Sequence, residues 1–198
     1  MNGTTTQPLD AFLACSDYID WQTPALLEQA RRLAAAHKGA LGVARACFEF
    51  VRDEIQHSWD FQRNPVTCRA SDVLLHGTGY CYAKSHLLAA LLRANGIPAG
   101  LCYQRLTIGD APPFCLHGLN AVYLPAYGWY RLDPRGNKPG VNAQFSPPVE
   151  QLAFALVCPG EQDIDGIFSE PLPAIVTVLT TANDYQQVAE RLPDIDCI

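Results

Sequence analysis

The first half of the chain places its apolar residues at helical spacing. The pattern predicts a helix over residues 24–37, which begins with a proline in its first turn and stops before a glycine. A second helix is predicted over residues 40–59, with its apolar side chains on one face. Residues 73–76 form a short predicted turn, and a third apolar helix runs from Cys81 to Ala94.

After residue 98 the apolar period changes from that of a helix to the alternation of strands. Residues 99–108, 116–124 and 128–133 are rich in β-branched and aromatic side chains and are predicted to be strands. The short link between the last two predicts an antiparallel hairpin. Helices followed by strands predict an α+β fold, in which N-terminal helices pack on an antiparallel β-sheet.

The rest of the chain gives weaker patterns. Residues 134–148 are rich in proline, glycine and asparagine and predict a loop. A helix is predicted near 148–157 and another over 184–192, with an apolar stretch between them. No linker divides the sequence, so we predict a single domain over residues 1–198, whose C-terminal extension covers about 150–198.

The composition narrows the range of partners. Hydrophobic residues make up 48% of the chain, and the net charge is −6. An acidic surface repels phosphate backbones, so no nucleic-acid partner is expected. Neither a signal sequence nor a long apolar segment is evident, which predicts a cytoplasmic protein without a membrane partner. The eight cysteines show no CxxC spacing, so we expect reduced thiols, no metal site and no cofactor.

One cysteine has an unusual position. Cys81 follows the sequence GTGY and opens the third predicted helix. The unpaired N–H groups of a helix N-terminus stabilise a thiolate, and the N–H of this residue could hold an oxyanion. His117 on the second predicted strand and Asp133 at the end of the third would become neighbours in the hairpin. The three side chains have the chemistry of a nucleophile, a base and an orienting carboxylate.

Other residues could support this site. Tyr80 and Tyr82 flank the cysteine and could line a cleft, donate to an oxyanion or simply pack in its wall. Gly79 leaves room for a substrate backbone. Gln62 and Asn64, in the loop before the third helix, are candidates for a second oxyanion donor.

Two longer stretches resemble a known family. The sequence GTGYCYAKSHLLAALLRANGIPAG resembles the core motif of the transglutaminase-like superfamily, in which G-x-C opens a helix that ends in L-L-R-x-x-G-I-P-A. The sequence HGLNAVYLPAYGWYRLDP resembles its strand pair, and FEFVRDEI resembles the helix before the core. The resemblance covers about residues 40–135. It departs from many members at Leu119 and Ala121, where they carry an aromatic residue and an acid.

The resemblance implies a papain-like core and a function. Cys81 would be the nucleophile, His117 the general base and acid, and Asp133 the orienting carboxylate. The chain resembles the small stand-alone bacterial members, which are often hydrolases; the resemblance therefore implies a cysteine peptidase or amidase acting on a peptide, protein or small amide through a thioester. Two alternatives stay open: acyl transfer to an amine, and a non-catalytic binding module on the same fold. The oligomeric state has no sequence signal.

Overall fold

A computed structural model describes residues 5–109 and 111–196. A 3₁₀ helix, Leu9–Leu13, precedes the helical half of the chain. The first two long helices are amphipathic, and their apolar faces are buried against the rest of the fold. The four helices of this half are α1 (Pro24–Ala34), α2 (Gly39–Glu54), α3 (Ala70–His76) and α4 (Cys81–Ala94).

The strands form two sheets. A small parallel pair, β1 (Gln56–His57) and β2 (Thr78–Gly79), lies just before α4. The main sheet is antiparallel, with the order β5-β4-β3-β6. Its strands are β3 (Ala99–Thr107), β4 (Phe114–Leu124), β5 (Gly128–Leu132) and β6 (Gln162–Phe168). The expected α+β class, with N-terminal helices packed on an antiparallel sheet, is confirmed.

Helix α4 lies at the centre of the fold. Every residue from Cys81 to Arg93 is buried, because α1, α2 and α3 pack on one side and β3 and β4 on the other. A helix buried on all sides is held in place by close packing over its whole length. The start of α4 is therefore a fixed point against which β4 can be positioned.

Several sequence predictions of local structure are wrong. The second helix ends at Glu54 and not at residue 59, and His57 lies in β1. The predicted turn at 73–76 is part of helix α3. Residues 148–157 form no helix, because Gln144 N–H bonds to Gln151 O and so pairs this segment with the preceding loop. Strand β6 was not predicted.

The C-terminal part of the chain adds two helices, α5 (Pro173–Thr181) and α6 (Tyr185–Glu190). The first is the apolar stretch noted in the sequence, and the second is shorter than predicted. Among the described residues, no helix is both long enough and apolar enough to cross a bilayer.

Candidate active site

Cys81 is the first residue of α4. Tyr80 before it is extended, with φ of −65° and ψ of 165°, so the helix begins abruptly at the cysteine. The N–H groups of the first helical turn have no acceptor within the helix, and they favour a negative charge at this point. Cys81 is 7% exposed, so a thiolate there would also be largely shielded from water.

Gly118 brings β4 into contact with the start of α4. A Cβ atom at this position would lie 2.8 Å from Tyr82 Cδ1 and 3.1 Å from Tyr82 Cα. Only a residue without a side chain allows the strand to approach the helix this closely. The Gly118 N–H also donates to Cys81 Sγ, with a nitrogen–sulfur distance of 3.5 Å. This contact places the neighbouring residue, His117, beside the cysteine.

His117 lies between Cys81 and Asp133. Its Nε2 is 2.7 Å from Asp133 Oδ2, and Cys81 lies close enough to raise its pKa. Because Asp133 engages Nε2, Nδ1 is the nitrogen that remains for the sulfur. The hairpin explains the first contact: Asn120 on β4 pairs with Leu132, the residue before Asp133. The structure thus brings all three predicted residues together.

Asp133 is fully buried and is held by the backbone as well as by His117. Its Oδ1 accepts from the Arg135 N–H at 3.0 Å, and its Oδ2 accepts from the Ala153 N–H at 3.1 Å. Burial alone would raise the pKa of Asp133, but His117 and these N–H donors lower it below its ordinary value. The carboxylate is therefore charged and fixed in orientation.

The charge of His117 follows from its neighbours. Burial alone would lower its pKa, but the charge and hydrogen bond of the Asp133 carboxylate, together with the adjacent Cys81, raise the pKa of His117 to about 10. The imidazolium form is thus favoured at neutral pH. Such a cation beside a sulfur atom stabilises the thiolate, which is the nucleophilic form of cysteine.

Phe154 covers one side of His117, and the sequence did not reveal this. The two rings meet edge to face, with centroids 5.0 Å apart and planes at 88°. Phe154 belongs to the segment that was predicted to be a helix, and the neighbouring Ala153 N–H bonds to Asp133. This loop therefore both orients the carboxylate and shields the imidazole ring from water.

The residues beside Cys81 are part of its support. The Tyr82 hydroxyl donates to Leu116 O within the core, so it is not available to an oxyanion. The Tyr80 hydroxyl donates to Tyr185 O at 2.5 Å, and its ring packs on His57. Of the three interpretations of these tyrosines, packing in the wall is the one that the contacts favour.

The remaining candidate residues, Gly79, Gln62 and Asn64, differ in their exposure to solvent. Gly79 in β2 is buried, and a Cβ atom there would lie 3.1 Å from Ala83 Cβ and from Thr67 Oγ1. Gln62 and Asn64 are exposed. Asn64 Oδ1 accepts from the Tyr185 N–H at 2.9 Å. Neither side chain forms a hydrogen bond with Cys81 or His117, so the structure gives no support for a second oxyanion donor here.

A charged cavity of about 520 Å³ lies near Asp133. Its lining includes Lys84, which is completely buried and donates to Ile55 O and Arg52 O. Burial, with Arg135 nearby, lowers the pKa of Lys84 to about 7. The carbonyl groups at the end of α2 need a donor, which explains why this lysine is buried and not solvated.

Comparison with protein families agrees with this geometry. A sequence profile of the transglutaminase-like superfamily matches residues 28–134, which is more than half of the chain and ends just after Asp133. The chain belongs to the transglutaminase-like superfamily. The expected family is thereby confirmed, and the match contains Cys81 and His117 as well. Comparison with curated proteins gives no significant match.

Two solved structures are similar to part of this chain. A candidate cysteine protease from Cytophaga hutchinsonii is 20% identical over 64% of this chain and 42% of its own, with a TM-score of 0.53. The periplasmic domain of TgpA from Pseudomonas aeruginosa is 20% identical over 65% of this chain and 48% of its own, with a TM-score of 0.48. The chain thus spans less than half of either structure. Family membership supports thiol-based catalysis in general terms.

In the part of the chain that the structure describes, no group of three or more His, Cys, Asp or Glu side chains is arranged so that it could hold a metal ion. The thiols of Cys15, Cys47, Cys68, Cys81, Cys102 and Cys115 form no disulfide.

Proposed function

We propose that this protein is a cysteine hydrolase that cleaves amide or peptide bonds through Cys81, His117 and Asp133. The observation that carries the proposal is the position of His117: its imidazole bonds to the buried Asp133 carboxylate, and the N–H of the adjacent Gly118 donates to Cys81 Sγ. Family membership supports a thiol nucleophile. The proposed substrates are peptides, proteins or small amides, and the proposal includes a cytoplasmic location and no nucleic-acid or membrane partner.

The first half of the reaction forms a thioester. The Cys81 thiolate attacks the carbonyl carbon, and the carbonyl oxygen becomes an oxyanion that the Cys81 N–H can hold. The His117 imidazolium gives its proton to the amide nitrogen, and the carbon–nitrogen bond breaks. The amine leaves, and the acyl group remains on the sulfur. Asp133 keeps the ring in the orientation that this transfer needs.

The second half restores the enzyme. Neutral His117 takes a proton from a water molecule, whose oxygen attacks the thioester carbonyl. The carbon–sulfur bond then breaks, the carboxylic acid leaves, and the thiolate and imidazolium are regenerated. If an amine takes the place of water, the same steps give acyl transfer. Water is proposed as the acceptor in this scheme.

The test begins with the reactivity of each cysteine. Iodoacetamide alkylation is followed by mass spectrometry from pH 5 to 9, with exposed Cys15 as the internal reference. Cys81 should react faster than Cys15 below neutral pH, and His117→Ala should slow it by about tenfold or more, because the paired cation is lost. His76→Ala, at an exposed position at the end of α3, is the matched control.

The outcome separates the candidate functions. If Cys81 reacts no faster than Cys15, and its alkylation rate is the same in His117→Ala as in the wild type, the non-catalytic binding module becomes the better description. If the reactive thiol is present, peptide amides are incubated in ¹⁸O-labelled water with and without a primary amine. A labelled carboxylate supports hydrolysis, whereas an amine adduct formed in preference to it supports acyl transfer.

A further inference from the structure

One edge of β4 is only partly covered by the sheet. Strand β5 pairs with the end of β4, from Asn120 to Leu124, and leaves the first half of the edge open. There the Leu116 N–H donates to Pro193 O at 2.8 Å, and Leu116 O accepts from the Tyr82 hydroxyl. The chain's own C-terminal segment, residues 191–196, thus bonds to this edge through its backbone, as a bound peptide would.

This contact lies close to Cys81. The N–H groups of Leu116 and Gly118 belong to alternate residues of one strand, so they point to the same edge, about 7 Å apart along it. One of them meets Pro193 O, and the other meets Cys81 Sγ. A peptide in the place of residues 191–196 would therefore run beside the nucleophile.

The next residue of the segment is held by a charged clamp. Arg105 Nε and Nη2 donate to the two carboxylate oxygens of Asp194 at 2.6 and 2.7 Å. The guanidinium group is itself oriented by Gly160 O at 3.0 Å and by the Phe114 ring, whose centroid is 3.7 Å from Cζ. A fixed guanidinium with paired donors recognises a carboxylate and discriminates against other side chains.

The same part of the chain also covers the other side of Cys81. Tyr185 O accepts from the Tyr80 hydroxyl, and the Tyr185 N–H donates to Asn64. The Tyr185 ring meets Trp59 edge to face, with centroids 6.0 Å apart. Residues 185–194 therefore connect both flanks of the nucleophile, which is consistent with its 7% exposure.

We propose that the open edge of β4 is a peptide-binding groove for extended acidic peptides, and that residues 191–196 occupy it as an internal ligand. The groove would bind a peptide carbonyl at Leu116 and the acidic side chain of the following residue at Arg105. This inference rests on the proposed function, because it names the substrate class of the same site. The internal segment must leave before such a peptide can bind.

Binding is measured by fluorescence anisotropy with a labelled peptide of the sequence AERLPDID, which copies residues 189–196. In full-length Asp194→Arg the internal segment should be repelled by Arg105, and the peptide should bind at least tenfold more tightly than to the wild type. Glu190→Gln removes a negative charge from the same region without touching the clamp and should bind as the wild type does. A peptide with asparagine in place of its first aspartate should lose at least tenfold in affinity.

A charge exchange gives a second, independent reading. In Arg105→Asp/Asp194→Arg the internal pair is rebuilt with opposite signs, so the acidic peptide should again be excluded. In the single variant Arg105→Asp, a peptide with arginine in place of its first aspartate should bind in preference to AERLPDID. If the peptide binds all variants alike, or binds Asp194→Arg no better than the wild type, the groove proposal is wrong.

These outcomes are separable from the proposed function. Peptide binding is measured again in Cys81→Ser, where no thioester can form, and the Arg105 dependence should persist. If binding follows the predicted pattern but Cys81 shows ordinary thiol reactivity, the groove stands and the hydrolase proposal fails. If Cys81 is reactive and no Arg105-dependent binding occurs, the hydrolase proposal stands and the acidic groove is rejected.

Discussion

Replacing Gly118 with alanine should disrupt the contact between Cys81 and His117. The new Cβ atom would lie 2.8 Å from Tyr82 Cδ1, 3.1 Å from Tyr82 Cα and 3.2 Å from Tyr82 N. Two of these are backbone atoms of the residue next to Cys81, so rotation of a side chain cannot remove the clash. Strand β4 and helix α4 must move apart instead.

The expected size of the effect follows from these distances. Ordinary carbon contacts are about 3.5–4.0 Å, so relief of the clash needs a shift of about 0.5 Å. Overpacking of this kind costs about 1–3 kcal/mol of unfolding free energy. Since a displacement of about 1 Å at reacting groups can cost ~10²-fold in rate, half of that predicts about tenfold slower reaction of Cys81.

The assay is the alkylation of Cys81 at pH 6.5, combined with urea unfolding of the same samples. Gly100→Ala on β3 is the matched control. Its Cβ atom would lie 2.4 Å from Ile167 Cγ2, in a core cluster that contains neither Cys81 nor His117. The control should lose stability and keep a reactive Cys81, whereas Gly118→Ala should lose reactivity while it is still folded.

Two results would refute this reasoning. Wild-type alkylation of Cys81 in folded Gly118→Ala would mean that the close approach does not position the sulfur. An equal loss of reactivity in Gly100→Ala, at an equal loss of stability, would mean that reactivity follows global stability. Either result would remove the special role assigned to Gly118.

Two further predictions concern pH. The pKa of His117 is raised to about 10, so the stability that its protonated form contributes is complete below pH 6.5 and is lost as the pH rises to about 10. The pKa of Lys84 is lowered to about 7, so the destabilising effect of burying its charge is relieved as the pH rises from about 7 towards its ordinary value of 10.5. Lys84→Met should therefore expose a fall in unfolding free energy of up to about 1.4 kcal/mol per pH unit between pH 7 and 9 in urea titrations, and a flat profile would contradict it. Asp133→Asn removes a charge that raises the pKa of His117, so the alkaline limb of amide hydrolysis should move to lower pH, whereas an unmoved limb would deny Asp133 this role.

The core of the candidate site was predictable because its residues lie where elements begin or end. A cysteine that opens a helix and a hairpin that pairs Asn120 with Leu132 need only local sequence signals. The spatial meeting of His117 and Asp133 follows from the hairpin. The position of His117 beside Cys81 depends on the contact of Gly118 with Tyr82, and the only sequence signal for that contact is a glycine next to the histidine.

The remaining features depend on contacts that are distant in sequence. Lys84 is buried because the carbonyl oxygens of Arg52 and Ile55 accept hydrogen bonds from its ammonium group, and no local sequence pattern predicts these partners. The segment that holds Phe154 follows helical spacing, but bonds to Asp133 and to the preceding loop keep it irregular. Strand β6 carries acids at alternate positions, which suits an edge strand but weakens its apolar signal.

Alternate residues along one edge of β4 make three different kinds of contact. Leu116 bonds to the C-terminal segment, Gly118 to the sulfur of Cys81, and from Asn120 onward the edge is paired with β5. A slip of the hairpin by one residue would turn all of these groups to the opposite sides of the strand. Such a misfolded chain would keep nearly the same helix and strand content, so circular dichroism would not distinguish it from the native protein. Titration of the reactive thiol would. The quality of a preparation should therefore be judged by the fraction of Cys81 that reacts.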